Sequence, residues 1–187
     1  ATGDSITAGA FTGGALKANA KAALTLNGNV VASGAGKWQL TTAADAPKYA
    51  VLLEGSGVSI GGNLAANQGK NYVKGTAGDI AITGTLSAKD SSTLISAANI
   101  TVDGDVTGGA LTATAGEAIQ MKDISIGTKN AELTATGSSI TAGNFIGGNL
   151  TASAGQSITL QHIGATGQAA GTVQLTAATG GITAGNV

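Results

Sequence analysis

The chain has 187 residues, no cysteine and a formal net charge of −1, so disulfides and thiolate sites are excluded. Its 31 glycines accompany a single proline, a ratio that excludes collagen and argues against a disordered Pro/Gly linker. Charged residues make up only 10% of the chain and every basic residue is a lysine, so we expect no nucleic-acid partner.

A short phrase of small residues recurs along the chain and predicts a repeat protein. The phrase GG-x-L begins at Gly13, Gly61, Gly108 and Gly147. Between its copies, large apolar residues stand in pairs, one residue apart: Leu24 and Leu26, Ile80 and Ile82, Ile119 and Met121, Ile158 and Leu160. These segments close on Leu40, Leu94, Leu133 and Leu175. The spacing predicts about eight turns of roughly 20 residues each.

A longer phrase marks equivalent positions in distant turns. ATGDSITAGAF at 1–11 returns as ATGSSITAGNF at 135–145 and as ATGGITAGNV at 178–187. It places Phe11, Phe145 and Val187 at matching positions. We therefore expect these side chains to form an apolar core or capping ladder.

Within each turn, apolar residues alternate with polar ones, as in LTATA at 111–115 and LTASA at 150–154. This period of two predicts strands with one buried face, and no window shows a helical stripe. Glycine and asparagine at the ends of the runs are expected to supply corners with positive φ. The pattern predicts an all-β protein, a parallel β-helix that covers residues 1–187 as one domain.

Two segments break the rhythm of the repeat. Residues 41–57 are longer than a turn requires and contain the only proline, Pro47, so we expect them to leave the coil as an extra strand or hairpin. A second irregularity is expected at residues 67–76.

The phrases ITAG-x-[FIV], GG-[AN]-LTA-[ST]-AG and SITL resemble the repeat shaft of filamentous-haemagglutinin-like exoproteins, the secreted partners of bacterial two-partner secretion systems. The likeness covers nearly the whole chain apart from 41–57. It implies a right-handed parallel β-helix, export through an outer-membrane transporter, and an extended adhesive stalk at the bacterial cell surface. The chain lacks the Asn-Pro motifs of the family's secretion domain, so it is similar to the shaft. Shaft repeats supply no catalytic residues or cofactor site to transfer.

The leading functional hypothesis is therefore a secreted structural and adhesive module without enzymatic activity. Its partners would be neighbouring β-helix segments and a host-cell or matrix receptor or glycan. One alternative is a filament subunit that stacks on copies of itself end to end. A second is a β-helical carbohydrate-active protein. Ice binding would require regular Thr-x-Thr ladders on one face, and the sequence shows none.

Residues with reactive or ligating side chains are few and scattered. Asp103 and Asp105 form the closest carboxylate pair, but two carboxylates fit a solvated turn better than a calcium site. His162 is the only histidine, and the phosphate-loop pattern GxxxxGK[ST] is absent. We expect no catalytic residue, cofactor or metal.

Aromatic residues that do not repeat are the better candidates for a site. Trp38, Tyr49 and Tyr72 lie in or near the two irregular segments, beside Lys37 and Lys48. Such residues could contact a partner or stack on a glycan. The alternative is that they pack the excursion onto the coil.

Overall fold

The computed structural model describes residues 2–41, 46–165 and 171–185. Within these ranges the chain is all-β without a helix, and parallel strands stack into a β-solenoid of about eight turns, roughly 20 residues apart. The predicted fold class is confirmed. The one antiparallel pairing in the described ranges is an isolated bridge between Trp38 and Tyr49.

Each complete turn contributes a strand to each of three faces. Face 1 consists of Thr2–Gly3, Leu16–Ala20, Val51–Gly55, Lys70–Gly75, Ala131–Ala135, Leu150–Ala154 and Val173–Ala177. Face 2 consists of Ile6–Ala8, Leu24–Leu26, Val58–Ile60, Ile80–Ile82, Ile100–Val102, Ile119–Met121 and Ile182–Ala184. Face 3 consists of Phe11–Gly13, Val30–Ala35, Leu64–Gln68 and Ile124–Ser125. Leu86–Ser96 and Val106–Ala115 bend from face 3 into face 1, and Ile140–Gly147 and Ile158–Ala165 bend from face 2 into face 3.

The core consists of columns in which each inward side chain stacks on its counterpart one turn away. Face 2 stacks isoleucines: Ile80, Ile100, Ile119, Ile140 and Ile158. The last inward column of face 1 is small instead: Gly55, Gly75, Ser96, Ala115, Ala135 and Ala154. Because wide and narrow columns share one interior, small side chains in one column leave room for the large side chains of another, and a thin coil can close.

Phenylalanine and glycine compensate for each other on face 3. Phe145 is fully buried, and a Cβ added at Gly147 would collide with its ring. Phe11 covers Gly13 in the same way, with its Cζ atom 2.8 Å from the added Cβ. The two phenylalanines are equivalent, as predicted, but they lie turns apart. Phe145 instead stacks on Ile124 and Ile163, so no aromatic ladder forms, and Val187 lies outside the described residues.

The four GG-x-L phrases are not all equivalent, which corrects the sequence alignment. Leu16, Leu111 and Leu150 lie on face 1, but Leu64 lies on face 3. The phrase suits two different corners, because both need compact residues before an inward leucine. The predicted closing residue Leu40 lies outside the strands and is 44% exposed.

The expectation of positive-φ corners is also wrong for most positions. Among the described residues, only Gly108 and Gly127 have positive φ, and no asparagine does. Glycine is needed for a different reason: turns stack so closely that a Cβ would meet the backbone of the preceding turn. At Gly104 the added Cβ would lie 2.5 Å from the carbonyl carbon of Gly84.

Asparagine and aspartate instead form hydrogen-bonded ladders along the corners. Between faces 2 and 3, the backbone N–H of Asn63 donates to Asn29 Oδ1 at 2.9 Å, and the backbone N–H of Thr85 donates to Asn63 Oδ1 at 2.8 Å. The other two corners repeat the device through Asp79, Asn99 and Ala118, and through Asn130, Asn149 and Thr172. Each side chain satisfies a backbone donor of the next turn that the bend would otherwise leave unpaired.

The excursion is placed differently from the predicted 41–57. Val51–Gly55 and Val58–Ile60 are regular strands of faces 1 and 2, because their apolar residues fill the inward columns. The departing segment instead begins after Val30–Ala35 and ends before Val51. Trp38 and Tyr49 close its neck: the Tyr49 amide donates to the Trp38 carbonyl at 2.7 Å. Residues 42–45 lie outside the described residues. Lys70–Gly75, inside the irregularity expected at 67–76, is a regular strand of face 1.

Candidate functional site

An aromatic patch covers part of the outer surface of face 1. Leu52 and Tyr72 are neighbours in adjacent turns, and both side chains point away from the coil interior. Tyr49 and Trp38, from the neck of the excursion, pack against them together with Ile95. This aromatic patch is a second apolar cluster, separate from the solenoid core, and it anchors the excursion on the coil.

The two tyrosines of the patch are packed against each other. Their ring centroids are 5.3 Å apart with an interplanar angle of 56°. Tyr49 is 8% exposed and Tyr72 is 6% exposed, so neither ring offers an open face for a sugar. The geometry is that of tilted aromatic packing, which contributes about 0.5–1.5 kcal/mol beyond area burial.

Trp38 is the accessible member of the patch. Lys37 Nζ lies 5.4 Å and Lys17 Nζ 5.9 Å from its ring centroid, within the range of cation–π contacts. Its indole Nε1 is buried and has no hydrogen-bond partner in the part of the chain that the structure describes. The accessible surface of the patch is therefore an indole flanked by two ammonium groups.

The structure brings most of the predicted site residues together. Trp38, Tyr49, Tyr72 and Lys37 share the patch, while the exposed Lys48 lies at the neck, where its backbone contacts Gly36. Sequence reasoning missed Lys17 and Leu52, which the register places side by side. The run Val51–Leu52–Leu53 breaks the alternation of apolar and polar residues, and that was the available signal for an outward apolar side chain.

Alkaline titration is expected to report directly on the aromatic patch, because the chain has two tyrosines and both lie in it. Burial raises the pKa of Tyr49 and Tyr72 above the ordinary value of 10.0, and the charge of Glu54 and then of Tyr49 raises the pKa of Tyr72 further. The patch should therefore hold at full stability below pH 10 and loosen as the pH rises through the raised pKa values. Tyrosinate absorbance of the folded chain should develop at higher pH than that of the urea-unfolded chain. Titration curves that coincide would contradict the burial of the two tyrosines.

The acidic and histidine candidates do not form a centre. Asp105 lies 3.5 Å from Lys122 Nζ, and His162 is half-buried beside Asn144 at the corner between faces 2 and 3. Among the described residues, no group of three or more His, Cys, Asp or Glu side chains could hold a metal ion.

Hydroxyl side chains form columns on the outer surface of face 1. The register stacks Thr114, Thr134, Ser153 and Thr176 in one column. The adjacent column contains Thr93, Thr112, Glu132, Thr151 and Gln174. Within these two columns only Thr112 and Thr114 form a Thr-x-Thr pair, because Glu132, Ser153 and Gln174 break the pattern in the turns that follow.

No family model, curated protein or solved structure matches the chain. The described residues include no helix long and apolar enough to cross a membrane.

Proposed function

We propose that the chain is a structural and adhesive module, a segment of the β-helical shaft of a secreted bacterial surface protein. The observation that carries this proposal is the continuous register: the same three faces repeat from Thr2–Gly3 to Ile182–Ala184. A coil of this kind lengthens by about 4.8 Å with every turn, so eight turns extend roughly 40 Å. Such a shaft holds a binding element at a distance from the cell.

The excursion supports the adhesive part of the proposal. It leaves the coil after Val30–Ala35 and returns before Val51–Gly55, and the aromatic patch fixes its neck. Loops that a rigid scaffold positions in this way are common binding elements. Lys37 and Lys48 would meet a host-cell or matrix receptor or glycan. In this proposal the module is similar to the shaft of filamentous-haemagglutinin-like exoproteins and reaches the cell surface through an outer-membrane transporter.

Electron microscopy of the purified chain across a concentration series tests the shaft. We expect short rods of about 40 Å whose length does not change with concentration. Compact round particles would contradict a shaft.

Beads coated with the chain test adhesion: they should bind cultured host cells or matrix, and Lys37→Glu with Lys48→Glu should reduce binding. Lys129→Glu, an exposed lysine away from the excursion, is the matched control.

A filament subunit is the second candidate, and one observation favours it. Ile182 continues the isoleucine column of face 2 in the last described strand, yet it is 46% exposed. A second copy of this chain, stacked end to end, would cover this inward side chain. Uniform fibres that lengthen with concentration in the same microscopy series would favour the filament.

A further inference from the structure

A polar groove runs along the coil where face 2 meets the corner toward face 3. Its volume is about 440 Å³, and residues from four successive turns line it. One side is an outward column of face 2, in which Gln120, Thr141 and Thr159 stack in register. The other side is the corner, with Asp123 and Asn144 on adjacent turns.

The groove collects hydrogen-bonding groups that the fold does not use. Within the described ranges, the side chains of Gln120, Thr141, Thr159 and Asn144 make no hydrogen bond. Asp123 Oδ1 accepts a hydrogen bond from the backbone N–H of Asn144 at 2.8 Å. The other carboxylate oxygen of Asp123 makes no hydrogen bond to the described chain. Amides, hydroxyls and a carboxylate that converge on one cleft are the groups that orient a polar ligand in a binding site.

Small residues keep the groove open between its two sides. Gly143 lines the groove, and a Cβ added there would collide with the Asp123 carboxylate. Any larger residue at this position would push Asp123 out of its contact with Asn144 and fill the cleft. The same glycine thus serves the corner ladder and the shape of the groove.

We propose that this groove binds a neutral polysaccharide chain that lies along the coil axis with one sugar per turn. A pyranose unit is about as long as the roughly 4.8 Å rise between turns, so successive sugars would meet equivalent side chains. Paired amide and carboxylate groups suit the vicinal hydroxyls of a sugar. Asp103 and Asp123 outnumber Lys122 along the groove, so an acidic or sulfated chain would be repelled.

The proposal concerns a different surface from the aromatic patch and adds a ligand class to the shaft. If the groove bound no sugar, the rods expected in electron microscopy would be unchanged, so the two proposals are tested separately.

The test is titration calorimetry with defined oligosaccharides. The neutral probes are β-1,4-linked oligomers of glucose, mannose and N-acetylglucosamine, from disaccharide to hexasaccharide, and the acidic probe is tetragalacturonate. One neutral series should bind, with an affinity that rises up to about four sugars and then levels, because four turns line the groove. Tetragalacturonate should bind more weakly or not at all.

Two variants locate the binding. Gln120→Ala and Asn144→Ala should each weaken the affinity for the neutral tetrasaccharide by roughly five- to tenfold, as expected for the loss of a hydrogen bond. Gln174→Ala removes an exposed glutamine from face 1 and should leave the affinity unchanged. The proposal is overturned if no neutral series binds at millimolar concentration, if tetragalacturonate binds as tightly, or if Gln120→Ala and Gln174→Ala behave alike.

Discussion

Phe145→Leu combined with Gly147→Ala should destabilise the coil by less than the sum of the two single substitutions. The phenyl ring occupies the space that an alanine Cβ fills in other turns of face 3. Those turns pair a branched aliphatic residue with alanine, as in Val30 with Ala32 and Leu64 with Ala66. The double variant would convert the Phe145 turn to this arrangement.

Each single substitution should cost stability for an opposite reason. Gly147→Ala places a methyl group against the Phe145 ring, and overpacking of this kind costs about 1–3 kcal/mol. Phe145→Leu leaves space over a glycine and should cost a similar amount, about 1–3 kcal/mol. Urea unfolding of all four chains measures the coupling, which should be favourable by about 0.5–3 kcal/mol. Strict additivity would show that ring and glycine do not share a space.

The parts of the fold that depend on alternation could be predicted from the sequence. Ile80 and Ile82 point inward with Ala81 outward because side chains alternate along any strand. The repeat length then gives the number of turns. Corner assignment could not be predicted in this way, because turns differ in length and GG-x-L suits two corners. Leu64 therefore appeared equivalent to Leu16 until strand pairing placed it on face 3.

Interactions between turns were the least predictable part. Asn63 and Asn99 belong to a residue type that is common in turns, where asparagine tolerates positive φ. Their side chains instead bind the backbone of the next turn, a role that only the stacking distance creates. The groove has the same origin: Gln120 and Thr141 are unremarkable polar residues until the register aligns them.

The aromatic patch lies between these cases. Trp38, Tyr49 and Tyr72 could be selected because they do not repeat, and the structure places them together. The sequence left their packing onto the coil open as an alternative, and the burial of the tyrosines depends on Leu52, an outward apolar residue one turn below Tyr72. Composition therefore located the patch, while pairing decided that its tyrosines pack and do not project.

Ile100→Asp is expected to have the largest effect of any single substitution considered. Ile100 is fully buried between Ile80 and Ile119 in the continuous isoleucine column. An unpaired carboxylate there costs several kcal/mol, which is a large part of the roughly 5–15 kcal/mol that stabilises a domain.

In a solenoid, stability passes from turn to turn through nearest-neighbour contacts, so this lesion should interrupt the coil in its middle. We expect thermal unfolding of Ile100→Asp to lose its single sharp transition, with the two flanking parts melting separately or not folding. Thr101→Asp places the same carboxylate one residue along, on the outer surface of the same strand, and should change stability by less than about 0.5 kcal/mol. If both variants melt like the parent chain, then the inward column does not couple neighbouring turns. If only Ile100→Asp loses the single sharp transition, then the inward isoleucine column is what couples the turns into one cooperative rod.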